Sequence, residues 1–376
     1  MQLVWLAEVP WAGLRQRHHH LVRRLPPDWP VVFVEPLLPR AVPAALGQLL
    51  GAATPRRWRH VTITAAAPLV NLRHPAARRL LARPAVRRGA ELLAARLLAA
   101  TVRRLVRGPI DGLITSNVYF AAGLRALAPR WIVYDCCDDP AAFPDAPPWT
   151  EACFRATVQQ AGLVLASSGA LLARVQQAGA RQSVLIGNGV DLGHYTRPQP
   201  EPAELRGLPR PIVGYIGHLG PWLDVAAVAA AARALPHASF VLIGPVALAP
   251  PERRALALPN VHLLGPRPYA RLPGYVQRFA VGLIPFRCTA LTRAVNPNKL
   301  YEYAACNLPV VATPFAPEIT AASPPVTLAA TPAAFAAAVA ARLAEAGPPT
   351  RPLAEAHSWD TLAARVVALL DEMRQA

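Results

Sequence analysis

Short apolar segments alternate with longer helical segments along this chain of 376 residues, and the alternation runs through the chain twice. Strands are predicted in the first half at residues 3–8, 31–35, 61–65, 112–115, 131–134, 163–167 and 184–186. Strands are predicted in the second half at residues 212–216, 240–243, 261–264, 281–285 and 309–312. Because strands that alternate with helices are typical of parallel α/β sheets, the pattern predicts two such sheets in succession.

A proline-rich segment separates the two runs. Residues 188–189, Asn-Gly, indicate a turn, and alternate prolines at residues 198–202 are typical of a stiff linker. We therefore predict an N-terminal domain over residues 1–195, a C-terminal domain over 196–357 and a final helix over 358–376. Open α/β sheets bind ligands at the carboxyl ends of their strands, so a site is expected there, in the cleft between the domains.

The composition narrows the class of partner. A formal net charge of +17 creates a positive field that suits nucleic acid, an anionic membrane surface or phosphorylated substrates. Many arginines fall in residues 73–107 and predict a solvated or membrane-facing surface. The five cysteines have no regular spacing, which favours a reducing compartment and argues against a zinc site. Since neither a secretory signal nor a long uncharged apolar run is visible, we expect a cytoplasmic protein, with contact at the inner membrane face as an added hypothesis.

One stretch, residues 296–313, combines a helix start with a buried strand and reads NPNKLYEYAACNLPVVAT. We predict that Asn296 caps the helix and that Pro297 occupies its first position. Asn307 suits a left-handed residue at the end of the helix, and residues 309–312 form the next strand. The amino end of such a helix favours an anion, because its N–H groups and its dipole point outwards.

Lys299 stands in the first turn of this predicted helix and is the only lysine in the chain. With Glu302 one turn further, it places a cation beside a carboxylate, a pair that can hold a phosphate and a sugar hydroxyl. The alternative is a surface ion pair of about 0.3–0.5 kcal/mol. Asn296, Asn298 and Tyr301, in the same stretch, are further candidates for substrate binding.

Three other groups follow predicted strands. Asp135, Asp138 and Asp139 form a carboxylate cluster that can orient an acceptor hydroxyl or take its proton, and the alternative is a solvated loop. At least one of the three is expected to have a raised pKa, because like charges lie close together. The remaining candidates for substrate binding are Gly13, Arg17, Gly217, His218, Gly220 and Arg287. The arginine and histidine run at residues 15–20 is equally consistent with a basic helix face that buries one histidine.

Taken together, several motifs resemble the GT-B glycosyltransferases, and most of all the family-4-like group that includes teichuronic-acid and other bacterial polysaccharide glycosyltransferases. The motifs are NPNKLYEY with PVVAT, GYIGHLGPWLD, VYDCCDD and IGNGVDLGHY. The resemblance implies two facing Rossmann-like domains, of which the first is on the acceptor side and the second binds the nucleotide sugar. It also implies that the final helix crosses back to the first domain, and that the site needs no metal.

The resemblance also implies roles for single residues. Glu302 matches the second glutamate of a Glu-x7-Glu motif, which holds the nucleotide ribose, whereas the first glutamate is replaced by Ala294. The turn at His218 lacks the arginine and lysine that grip the diphosphate in that family, so Lys299, Arg287 and the helix amino end have to neutralise the phosphates. We take Asp138, Asp139, Lys299 and Glu302 as the catalytic candidates.

The leading hypothesis is a glycosyltransferase that moves a sugar from a UDP- or GDP-sugar to a polysaccharide or lipid-linked acceptor, with retention implied by the resemblance alone. No cofactor beyond this donor substrate and no nucleic acid partner is expected. An inverting GT-B enzyme or a sugar-nucleotide epimerase is the alternative within enzymes. A non-catalytic basic α/β protein that binds nucleic acid or anionic lipid is the alternative of another class.

Overall fold

The computed structural model describes residues 1–12, 15–37, 55–71, 74–323, 325–345 and 347–375. These residues form two compact units, Met1–Ile186 with Ala363–Ala376, and Gly187–Leu362. The predicted boundary after residue 195 falls inside the helix Leu192–Thr196, which belongs to the second unit. Tyr195 is fully buried in the core of that unit.

The first unit is built on an eight-stranded sheet with the order β3-β4-β2-β1-β5-β6-β7-β8 among the described residues. Its strands are β1 (Leu3–Leu6), β2 (Val31–Pro36), β3 (Arg56–Trp58), β4 (Val61–Ala66), β5 (Gly112–Thr115), β6 (Trp131–Cys136), β7 (Leu163–Ala166) and β8 (Ser183–Leu185). All neighbours pair in parallel except β3, which runs antiparallel to β4 at the edge. The central strands are buried along their whole length, which explains their continuous apolar sequences.

The helices of the first unit follow the predicted pattern with one exception. Their bounds are Arg17–Val22, Pro75–Leu81, Pro84–Arg103, Thr150–Gln160 and Gly169–Gln177. Pro84 separates the second helix from the third, as predicted, because a proline fits the first turn of a helix and not its interior. The helix predicted near residues 119–128 is wrong: the chain forms two 3-10 segments there, Val118–Gly123 and Arg125–Leu127.

The second unit is built on a six-stranded sheet with the order β11-β10-β9-β12-β13-β14 among the described residues. Its strands are β9 (Ile212–Ile216), β10 (Ser239–Ile243), β11 (Val261–Gly265), β12 (Val281–Ile284), β13 (Val310–Ala312) and β14 (Val326–Leu328). Every pair of neighbours is parallel. The carboxyl ends of β9, β10 and β12 therefore lie along one edge, and the loops after them share that edge.

The helices of the second unit pack against this sheet and against each other. Their bounds are Leu192–Thr196, Val225–Ala234, Pro250–Ala255, Leu272–Val276, Ala290–Arg293, Asn298–Ala305, Pro317–Ala321, Pro332–Ala344 and Arg351–Ala356. Asp224 caps Val225–Ala234 by accepting a hydrogen bond from Ala227 N at 3.1 Å, as predicted. The helix Pro332–Ala344 packs on Val225–Ala234, and both present alanine-rich faces to each other.

The final helix, Trp359–Gln375, starts in the second unit, and its residues from Ala363 onwards belong to the first. The Ser358 hydroxyl accepts a hydrogen bond from Thr361 N at 3.1 Å and caps the helix. Among the described residues, the structure contains no helix that combines the length and the apolar character needed to span a bilayer.

Candidate active site

The helix Asn298–Ala305 carries the predicted motif, and its start differs by one residue from the prediction. Pro297 is the capping residue with extended backbone angles, and Asn298 is the first helical residue. Asn296 does not cap the helix: it is buried, and its carbonyl accepts a hydrogen bond from Asn188 Nδ2 at 2.7 Å. Asn307 is left-handed with a φ of 53°, as predicted for the residue that ends the helix.

Tyr303 fixes this helix to the sheet. Its ring lies directly over Gly282 of β12, where a Cβ would come within 2.6 Å of the ring. Its hydroxyl accepts a hydrogen bond from the N–H of Ile216, the last residue of β9, at 2.9 Å. Because Tyr303 is fully buried, the helix has a fixed position relative to the ends of two neighbouring strands.

Lys299 lies over two aromatic rings at this edge of the sheet. Its Nζ is 4.3 Å from the centre of the Phe286 ring and 5.1 Å from that of Tyr215. Among the residues that the structure describes, no carboxylate lies within 4.0 Å of this ammonium group. Burial lowers the pKa of Lys299 from 10.5 to about 8, against the opposing influence of Glu302. The group is thus a partly desolvated cation that lacks a close counter-charge within the described chain.

Gly217 lies beside this ammonium group, directly after β9. Its φ of +136° is accessible only to glycine, and a Cβ there would lie 3.3 Å from Lys299 Nζ. Gly244, after β10, has a φ of +147° and packs so closely that a Cβ would lie 1.9 Å from the Gly217 carbonyl oxygen. Gly244 thus allows the two backbone turns to pack closely, and Gly217 leaves bare backbone next to the cation, which a ligand can approach.

Glu302 lies one turn after Lys299, and its environment is also unfavourable for charge. Burial raises the pKa of Glu302 to about 7, although the Tyr195 hydroxyl and Lys299 lower it. Asn298, at the start of the same helix, has a buried Oδ1 atom that makes no hydrogen bond with any described residue. A carboxylate, an amide oxygen and an ammonium group therefore lie within the first two turns of this helix with unused hydrogen-bonding capacity.

The other predicted residues of the second unit are placed as follows. The carbonyl oxygen of His218 accepts hydrogen bonds from Tyr215 Oη at 3.0 Å and from Trp222 Nε1 at 3.2 Å, which orders the turn. Gly220 is buried against the Trp222 ring. Arg287 donates to Glu252 Oε1 at 2.5 Å, so its predicted phosphate contact would compete with that pair.

Tyr301 does not face the same surroundings as Lys299. Its ring stacks on His357 at 4.5 Å between centres, and burial raises the pKa of Tyr301 to about 12. Asn296, which interacts with the Tyr301 hydroxyl, is buried with it. Both residues support the helix from the side that packs in the core, and their predicted ligand contact stays a prediction.

In the first unit, two of the three clustered aspartates have arginine partners. Asp135 accepts a hydrogen bond from Arg17 Nε at 2.8 Å, in an ion pair whose side chains are 0% and 3% exposed. Asp139 pairs with Arg174 Nε at 2.9 Å. Asp138 is different, because burial and the nearby Asp139 raise its pKa to about 7. The expectation that one carboxyl of this cluster has a raised pKa is consistent with this environment.

Glu8, which lies two residues after the end of β1, was not among the predicted site residues. Desolvation and the neighbouring Asp138 and Asp135 raise the pKa of Glu8 to about 8. An acidic residue immediately after a buried strand was the signal that could have found it. Glu8 is exposed to solvent and Asp138 is half-buried, and the pKa of each carboxyl group is raised with other acidic side chains nearby.

The histidines of residues 18–20 are all buried, so the expectation of a single buried histidine was too low. His19 accepts from Gln16 N through Nδ1 at 3.0 Å and contacts the Pro10 carbonyl through Nε2 at 3.1 Å, which suits a neutral ring. Burial lowers the pKa of His19 to about 4 and that of His20 to about 2. Gly13 lies outside the described residues.

Comparison with known proteins agrees with this architecture. Residues 210–345 match the family model described as "Glycosyl transferases group 1". The Bacillus subtilis (strain 168) protein TuaH, whose description names teichuronic acid biosynthesis and a glycosyltransferase, is 30% identical over 163 residues. That match covers 42% of this chain and 41% of TuaH, so the chain aligns with less than half the length of this relative.

Solved structures cover the whole chain at lower identity. HepE from Anabaena, in complex with UDP and glucose, has a TM-score of 0.69 and 17% identity, with 99% of each chain covered. Sucrose-phosphate synthase from Thermosynechococcus elongatus has a TM-score of 0.72 and 16% identity, again with 99% of each chain covered. The predicted fold class is confirmed: the chain has the GT-B fold that these solved structures share, and residues 210–345 are similar to the group 1 family model.

Proposed function

We propose that this protein is a glycosyltransferase that takes its sugar from a UDP-sugar. One observation supports this most directly: Asn298, Lys299 and Glu302 lie within the first two turns of one helix, and Lys299 is beside the bare backbone of Gly217. All four residues fall inside the segment that matches the glycosyltransferase family model. HepE is described in complex with UDP, which favours uridine over guanosine as the base.

In this proposal, the diphosphate of the donor lies between Lys299 and the N–H groups of the first helical turn. The ammonium group supplies a full charge, and the helix dipole adds about 0.3–1 kcal/mol. Gly217 leaves the main chain bare beside the cation, because a Cβ there would lie 3.3 Å from Lys299 Nζ. Glu302, in its ionised form, accepts hydrogen bonds from the ribose hydroxyls, and Asn298 Oδ1 accepts one more.

During transfer, the bond between the anomeric carbon and the phosphate oxygen breaks, and the electron pair leaves with UDP. Negative charge grows on the β-phosphate, where Lys299 is placed to stabilise it. The acceptor hydroxyl forms the new glycosidic bond and gives up its proton, for which Asp138 and Glu8 are the candidate bases in the first unit. We propose retention at the anomeric carbon, as the family resemblance implies, although Ala294 supplies no carboxylate at the first position of the glutamate motif.

The acceptor in this proposal is a growing polysaccharide or a lipid-linked sugar, handled on the cytoplasmic side. The description of TuaH favours a cell-surface polymer as the product. The donor is the sole small molecule that the proposed reaction requires besides the acceptor.

The test is a thermal-shift and calorimetric comparison of UDP, UDP-glucose, UDP-glucuronate, GDP and ADP. A ligand that binds the folded form alone must raise the melting temperature, by an amount that grows with its concentration over Kd. We expect UDP and at least one UDP-sugar to stabilise the wild type, and Glu302→Gln to weaken that effect. Equal stabilisation by all nucleotides, or by none, would refute the proposal. Steeply salt-dependent binding of an oligonucleotide without UDP binding would favour the non-catalytic alternative.

A further inference from the structure

The first unit exposes leucines where a folded domain normally exposes polar side chains. Among the described residues, six large hydrophobic side chains are exposed, and four of them lie on the helices Pro75–Leu81 and Pro84–Arg103. These four are Leu80, Leu92, Leu93 and Leu97, with exposed fractions of 51%, 54%, 50% and 39%. The two helices pack against each other, so the leucines belong to one continuous piece of structure. Exposed apolar side chains that cluster in this way mark contact sites.

Arginines share this face of the helix Pro84–Arg103. Side chains three and four residues apart lie on the same side of a helix, and the exposed residues follow that spacing. The exposed arginines of the face are Arg88, Arg96, Arg103 and Arg104, the last being the residue that ends the helix. The opposite side packs inwards through Ala94, Ala95, Leu98 and Val102. Glu91, the single acidic residue of this helix, is half-buried and lies towards that inner side.

We call Leu92, Leu93, Leu97 and these four arginines the leucine–arginine face. Its charge is purely positive, and its apolar groups lie between the charges. An anionic lipid surface matches both properties, because leucines can enter the interface while arginines remain at the phosphate level. Nucleic acid would match the charge but would not bury leucines, and a second copy of this basic face would bring like charges together.

We propose that the leucine–arginine face docks the protein on an anionic phospholipid bilayer, with the helix Pro84–Arg103 lying in the plane of the surface. This inference does not depend on the proposed sugar transfer, because it rests on a different set of residues. Each arginine that lies near such an acidic lipid surface strengthens binding by about fivefold. Each leucine that enters the interface contributes on the order of tenfold.

The experiment is co-sedimentation of the whole protein with vesicles of phosphatidylcholine alone or with phosphatidylglycerol added. Two variants separate the contributions: R88Q/R96Q/R103Q removes charge, and L92Q/L93Q/L97Q removes the apolar groups. The matched controls are R233Q/R253Q/R254Q, three exposed arginines of the second unit, and Leu185→Gln, an exposed leucine at the end of β8. Because all the changed side chains are exposed, we expect each variant to fold, and a thermal melt of each variant checks this.

We expect binding to anionic vesicles alone, a loss of about a hundredfold or more in each triple variant, and no change in either control. Added salt should weaken vesicle binding by the wild type and by the leucine variant, and it should have only a small effect on binding by the arginine variant. Equal binding to both vesicle types, equal loss in the control variants, or no vesicle binding at all would overturn the proposal. A dimer in solution that the leucine variant abolishes would overturn it as well, and would assign the face to a second copy.

Discussion

Lys299→Met is expected to make the protein more stable and to weaken its binding of UDP. Because a purely structural residue would not show both effects, the substitution tests the proposed site. A methionine has nearly the length of a lysine and no charge. In the free protein the lysine side chain is partly desolvated, and no carboxylate among the described residues lies within ion-pair distance. A residue kept for stability would not be placed in this way.

The magnitude follows from the pKa and the aromatic contacts. Lowering the pKa from 10.5 to about 8 makes the charged form about 3 kcal/mol less favourable than it is in water. The rings of Phe286 and Tyr215 return about 1 kcal/mol each through cation–π attraction. The net cost of the charge is therefore about 1 kcal/mol, and its removal should raise the melting temperature by about 2–4 °C. Loss of a charge-assisted contact to phosphate should weaken UDP binding by roughly 10- to 100-fold.

Proton binding gives a second signature. Burial lowers the pKa of Lys299 in the folded protein, so the folded wild type releases this proton at a lower pH than the unfolded chain, which releases it near pH 10.5. Because the unfolded state binds more protons between these values, the stability of the wild type rises with pH across that window. The rise should be absent from Lys299→Met.

Urea unfolding at several pH values and calorimetry with UDP measure both effects. Arg233→Met, at an exposed arginine of the helix Val225–Ala234, is the control and should change neither stability nor UDP affinity. If Lys299→Met bound UDP as the wild type does, Lys299 would not contact the donor. If the variant were less stable than the wild type at pH 7, the reasoning about its desolvation would be wrong.

Three further substitutions test the neighbouring groups. Glu302→Gln should weaken UDP binding by about 10-fold or more. Because the carboxyl pKa is raised to about 7 in the folded state, the stability of the wild type should fall as the pH rises from about 4.5 to 7. Glu302→Gln should abolish this fall, which urea unfolding at several pH values measures. Gly217→Ala should impair UDP binding measured by calorimetry, because its Cβ would meet Lys299 at 3.2 Å, whereas Gly265→Ala, with a positive φ and no atom within 4 Å, should affect stability alone. Asp138→Asn should lower turnover by about 100-fold or more, because this carboxyl is the proposed base. Asp139→Asn should mainly lower stability, because it loses the ion pair with Arg174. Equal turnover in the two variants would remove Asp138 from the mechanism.

Much of the sheet architecture could be predicted because the strands are buried on both faces. Strands such as β5 and β9 are continuously apolar and end at turns, so their bounds agree with the prediction to the residue. The edge strand β3 was missed because it is exposed and begins with two arginines. The strand β14 and the helix Pro332–Ala344 were missed because short or alanine-rich segments have little hydrophobic contrast between their faces.

The candidate site, like the sheets, could be predicted from the sequence only in part. The position of Lys299 at a helix start could be predicted, because the turn residues and the periodicity of the helix are local in sequence. The anchoring of that helix by Tyr303 could not, since it depends on the missing side chain of Gly282 and on the backbone of β9. The pairing of Asp135 with Arg17 was equally invisible, because the two residues are 118 positions apart.

The charged groups of this protein are of two kinds, those that are paired with an opposite charge and those that burial leaves without a close counter-charge. Asp135 and Arg17 bury their charges together, so breaking the pair should cost about 3–5 kcal/mol and says nothing about a ligand. Lys299, Glu302 and Asp138 have pKa values moved towards neutrality by burial, and each therefore destabilises the free protein while it is charged. A fold can retain an unfavourable charge of this kind when a bound ligand offsets its cost. A diphosphate with its ribose carries the groups that would offset it for Lys299 and Glu302. The motif alone shows a lysine and a glutamate one turn apart; their surroundings supply the reason to assign them to a substrate.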